Sequence, residues 1–104
     1  TRDFNYVGNM VQAVMLLLGA RWAVGDVFNV GSGEETSIRH LALLAKKIAG
    51  REDKHVALAD VRAREGEEGR LFLDSRKIMA HGYKPEVGFV AGVERTALWV
   101  KGRL

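Results

Sequence analysis

A small mixed α/β lobe, with three or four short strands and four helices, is the fold this sequence predicts. Three observations lead there. Phe4 to Val7 alternates like a strand, with Phe4 and Tyr6 on one face and Asn5 and Val7 on the other. Val27-Phe28-Asn29-Val30 is a compact apolar run, closed by Gly31-Ser32-Gly33, that reads as a buried strand. Ile38, Leu41, Ala42, Ala45 and Ile48 then recur at the spacing of one helix face.

The remaining elements follow in order. Gly8-Asn9 breaks the first strand, and Asn9 is a good helix cap because its side-chain oxygen can accept a free backbone N–H. The helix from Met10 to about Leu18 is apolar almost all round, so it asks for cover on two sides. Ser37 caps the second helix, Lys46 and Lys47 suit its carboxyl end, and Gly50 is placed to close it. Val56–Leu58 reads as an edge strand, and 60–70 as a polar run in which Gly66 and Gly69 permit tight turns. Leu71–Leu73 is a further short strand. A brief helix capped by Asp74 or Ser75 runs through Ala80 and ends at Gly82, with His81 suited to the helix end. After Pro85, Val90 to Val100 is the last helix.

Composition narrows the function classes. A chain of 104 residues is a single domain, 1–104, with little margin for a core. There is no cysteine, which excludes disulfides, thiolate metal sites and Cys nucleophiles and fits a reducing, cytoplasmic setting. His40, His55 and His81 have no metal-ligand spacing. The formal charge of +3 is a mild bias towards anions, but the basic residues lack interleaved aromatics, so nucleic acid is not an expected partner. The longest apolar run, Ala13 to Leu18, is far below the roughly 20 residues that span a bilayer. The first residue is Thr1, as expected of a chain with an upstream part.

Four segments in order carry a family resemblance: Thr1–Ala13 (T-R-D-F-N-Y-V-G-N-M-V-Q-A), Val27–Ile38, Arg64–Lys77 and Gly82–Thr96. Together they resemble the C-terminal, substrate-binding part of the NAD-dependent nucleotide-sugar epimerases and dehydratases, which are extended short-chain dehydrogenases. The resemblance covers nearly the whole chain. It implies that Arg2, opening the R-D-F strand, reaches the diphosphate of a nucleoside-diphosphate sugar. Arg64, in place of the arginine of an R-P-G-D turn, would grip the same diphosphate, and Glu67 would bond the ribose. The chemistry is apt: a guanidinium is a fork of N–H donors matched to phosphate oxygens, and a carboxylate can accept from vicinal hydroxyls.

The sequence departs from that pattern at several positions. Glu65 stands where proline is usual and Glu67 where aspartate is usual; Asn9 stands in place of a common aspartate. His40 replaces a capping-box glutamate, and Leu71 takes a position where some epimerases have tyrosine. Gly31-Ser32-Gly33 is followed by Glu34-Glu35-Thr36, not by the rest of G-x-G-x-x-G. Neither Tyr6 nor Tyr83 has a lysine four residues on, so Y-x-x-x-K is absent too.

These 104 residues therefore carry no cofactor-binding and no catalytic residues, and alone they should not turn over substrate. NAD is implied for the full-length enzyme only. The expected role is part of such an epimerase or dehydratase; the alternative is a free-standing binding or assembly module derived from that lobe, without catalysis. Either the missing Rossmann lobe or self-association would cover the apolar first helix.

Overall fold

The computed structural model describes residues 1–51 and 69–103. Its elements are helix α1 (Val7–Leu18), a single 3-10 turn (Arg21–Ala23), and helices α2 (Ile38–Ile48), α3 (Arg76–Met79) and α4 (Phe89–Lys101). No strand forms among the described residues, which overturns the expected mixed α/β lobe with its three or four strands. Extended backbone meets extended backbone at one antiparallel bridge, Arg2 with Thr36.

The reason is that a strand is a property of a pair of segments, whereas apolar alternation is a property of one. At Phe4–Val7 the chain turns early: Asn9 N–H bonds the Tyr6 carbonyl at 2.9 Å, and Val7 is already helical. Around Val27–Val30, side chains stand in for a neighbouring strand. Lys77 Nζ donates to the Val27 carbonyl at 2.8 Å, and the Gly31 N–H donates to Ser75 Oγ at 2.8 Å. Val27, read as buried, is 79% exposed. In Leu71–Leu73, Leu71 N–H reaches the Thr1 carbonyl, but Leu73 N–H reaches a side chain, the Asp3 carboxylate. The expected edge strand Val56–Leu58 lies outside the described residues.

Helix ends were more legible. Ser37 caps α2 by accepting the His40 N–H at 3.0 Å. The far end is a Schellman closure: Arg51 N–H bonds Lys46 O, Gly50 N–H bonds Lys47 O, and Gly50 takes φ +69°. Gly82, at φ +98°, ends the α3 segment in the same manner, with Tyr83 N–H returning to Ile78 O. Asn9 is a correction. The N-cap of α1 is Tyr6, without a side-chain cap bond, and Asn9 is buried as the third residue of the helix.

A small core forms where α1, α3 and the loops between them meet. Ala13, Ile78 and Tyr83 are buried, with Leu16, Leu17, Phe28 and Val30 packed around them. Asn9 ties α1 to the approach to α4: its Nδ2 donates to Val87 O at 2.7 Å and its Oδ1 accepts the Val87 N–H at 3.0 Å. Separately, α2 packs on α4. The opposite face of α1 is bare. Val7, Met10, Val11, Val14, Met15 and Leu18, at helical spacing, are 41–77% exposed.

Candidate functional site

The candidate site is the place where three short segments converge on Arg2. On one side, Arg2 and Thr36 exchange backbone hydrogen bonds, both 2.9 Å. On the other, the Thr1 amino group donates to Gly69 O at 2.6 Å and Leu71 N–H donates to Thr1 O at 3.2 Å. Thr1–Asp3 is thereby threaded between the segment before α2 and the one before α3. Arg2 is half-buried, and its Nη1 donates to the Thr1 carbonyl at 2.7 Å. Arg64 and Glu67, the other expected ligand residues, lie outside the described residues.

A charged pair braces the same junction. Arg70 grips Glu35 in a two-pronged arrangement, Nε to Oε1 at 2.6 Å and Nη2 to Oε2 at 2.7 Å, and the Thr1 hydroxyl also donates to Oε1. The Arg70 guanidinium first, and the Thr1 hydroxyl second, hold the Glu35 carboxyl down from 4.5 to about 2. Because the folded value is depressed, the contribution is complete above about pH 4.5 and fades as pH falls towards 2. Asp74 is held at about 2 as well, chiefly by the Arg76 side chain, so it titrates in the same window. Glu35→Gln is therefore expected to melt below the parent at pH 6, with the gap closing as pH drops from about 4.5 to about 2. Thermal unfolding followed by circular dichroism across that range checks it; a gap that stays constant with pH contradicts it.

Asp3 and Glu35 are the residues that sequence reasoning missed here. Both sit inside the quoted motifs, but only as neighbours of Arg2 and Ser37. The one local signal was an aspartate near the start of the R-D-F strand-like run, where that residue is disfavoured unless its carboxylate is used. Arg70, just before the Leu71–Leu73 run, finds its partner across the chain in Glu35.

Elsewhere, a groove of about 1000 Å³ runs between α2 and α4, lined by Leu41, Ile48, Phe89, Val93 and Lys101 among others. Arg2 does not line it, so the groove and the candidate anion contact are separate features. Trp22 stacks on His81 with ring centroids 3.7 Å apart, and His81 stands directly after the α3 C-cap Ala80, its N–H on the Ile78 carbonyl at 3.0 Å. Among the described residues, no three of His, Asp or Glu gather as metal ligands, and no helix is long and apolar enough to cross a membrane.

Comparison with known proteins gives a consistent set. A Methanocaldococcus jannaschii protein assigned as a UDP-glucose 4-epimerase is 37% identical over 101 residues, spanning 97% of this chain and 31% of that protein. The dTDP-glucose 4,6-dehydratase of an Actinoplanes species is 31% identical over 101 residues, 96% of this chain and 31% of the enzyme. Among solved structures, the Thermus thermophilus UDP-glucose 4-epimerase in complex with NAD superposes with a TM-score of 0.83 and 31% identity. That superposition covers 98% of this chain and 31% of the neighbour. The chain thus spans about a third of the length of the relatives it matches. No family model matches it.

Proposed function

From a chain whose homologues are NAD-dependent nucleotide-sugar epimerases and dehydratases, and which corresponds to a C-terminal part of that family, we propose a substrate-binding role. Arg2 and Arg64 hold the diphosphate of a nucleoside-diphosphate sugar, and Glu67 accepts from the ribose hydroxyls. The observation that carries this reading is 37% identity over 97% of the chain, against 31% of the relative. The backbone supports it. Gly69 and Leu71 are bonded to Thr1, next to Arg2, and Arg64 and Glu67 stand just five and two positions before Gly69 in the sequence.

In the full-length protein the oxidation of the sugar belongs to NAD and to the part of the relatives that this chain does not span. That part would also cover the bare face of α1. The helix has no charged residue from Val7 to Leu18, and burying apolar surface contributes roughly 25 cal/mol per Å². A second copy of the chain is the competing occupant of that face.

Calorimetric titration with UDP, GDP and dTDP tests the reading. One of the three is expected to bind saturably, and Arg64→Ala should weaken it about tenfold or more while leaving the circular dichroism spectrum intact. A parent chain that binds none of them would favour the alternative, a module that serves assembly without ligand.

A further inference from the structure

We propose that Asp3 is the positioning residue of the diphosphate site, holding the backbone on both sides of Arg2 while touching no ligand itself; the inference rests on the substrate-binding reading above. The hydrogen bonds that flank Thr1 and Arg2 stop at Asp3, and its carboxylate replaces the missing backbone partners. Oδ1 accepts the Ser32 N–H at 2.9 Å and the Ser32 hydroxyl at 2.5 Å. Oδ2 accepts the Leu73 N–H at 3.2 Å. One side chain therefore clamps the loop after Val30 and the segment after Arg70, residues 29 and 70 positions away in the chain.

Space has been left for this. A Cβ built on Gly31 would fall on the Asp3 carboxylate and come within 2.9 Å of the Leu73 Cβ. Gly31 is not among the glycines with positive φ, so its lack of a side chain serves the close approach of Asp3 rather than backbone freedom. Ser75 fixes Gly31 from behind, its Oγ accepting the Gly31 N–H at 2.8 Å. Hydrogen bonds to a carboxylate are the stronger kind, and three of them converge on one group. Arg2 follows from this: its N–H and C=O are held by Thr36, and the residue after it is pinned on both sides.

Position and charge make opposite predictions, and this makes the idea testable. A carboxylate beside a bound diphosphate repels it, so on charge alone Asp3→Asn should tighten UDP binding. If Asp3 works by position, Asp3→Asn must weaken it, because the new NH₂ group meets a backbone N–H where an acceptor stood.

The experiment titrates UDP and uridine (or, where the parent binds GDP or dTDP instead, that diphosphate and its nucleoside in their place throughout) into the parent, Asp3→Asn and Asp3→Glu, with amide hydrogen exchange of Ser32 and Leu73 recorded in each. Asp3→Glu keeps the charge and shifts the oxygens by one methylene, so it reports on position even if the asparagine variant folds poorly. The expected result is about a tenfold loss of UDP affinity in both variants, uridine binding unchanged, and faster exchange at Ser32 and Leu73. Tighter or unchanged UDP binding overturns the inference, as does an equal loss of UDP and uridine or unaltered exchange at the two amides. A parent that does not bind UDP, GDP or dTDP overturns the substrate-binding reading itself and the inference with it.

Discussion

Asn9→Ala is expected to lower the unfolding free energy by about 2–4 kcal/mol, although it removes a polar residue from a helix. Asn9 is 1% exposed. Its amide behaves as a piece of backbone, donating to Val87 O at 2.7 Å and accepting from Val87 N–H at 3.0 Å, with a second donor bond to Asn5 Oδ1 at 2.9 Å. Alanine has the better helix propensity, by a few tenths of a kcal/mol. Against that, the change leaves both backbone groups of Val87 without this partner, at roughly 1–3 kcal/mol for each group that water cannot reach. The larger effect wins. Urea unfolding should show a lower midpoint with an unchanged slope, and a loss below about 0.5 kcal/mol would contradict the account.

Ile78→Ala is expected to cost about as much, roughly 2–4 kcal/mol, by a different route. Ile78 is fully buried on a helix of only four residues, against Ala13 and Tyr83 and the rim of Leu16, Leu17, Phe28 and Val30. A helix that short has no stability of its own and stays formed only through what it packs on. Removing three methyl or methylene groups opens a cavity at the one point where α1, α3 and the Val27–Val30 loop meet. Leu98→Ala is the control: Leu98 is 71% exposed on α4, and its truncation should fall within about 0.5 kcal/mol of the parent. Equal losses in the two variants would mean that the core lies elsewhere.

How much could be read from the chain varied with the range of the interaction. The capping of α2 by Ser37 and the closures at Gly50 and Gly82 were visible because each involves residues within one or two turns of each other. The junction around Arg2 was visible only in part. The arginine stood out through its motif, but the acid that supports it bonds partners 29 and 70 residues away, and the one local sign of it, an aspartate in an extended run, does not name those partners. Asn9 was misread for the same reason. A cap is its commonest use near a helix start, and its actual partner, Val87, is 78 residues distant. The predicted strands failed for a related cause. Phe28 and Val30 do pack against the core, as their apolarity requires, but among the described residues no second extended segment lies alongside them to make a ladder.

Two things, then, were already legible in the order of residues alone: the likeness to nucleotide-sugar epimerases and dehydratases, carried by four motifs in correct succession, and both ends of α2 with the close of α3, carried by serine and glycine at set positions. Tertiary structure decided the rest. It chose side chains over strand neighbours to satisfy the extended backbone, made Asp3 the clamp beside Arg2, and left one face of α1 bare. Caps and turns depend on conformational preferences within a few residues. Pairing, burial and the convergence of a binding site depend on which distant groups come within hydrogen-bond reach, and only the folded chain settles that.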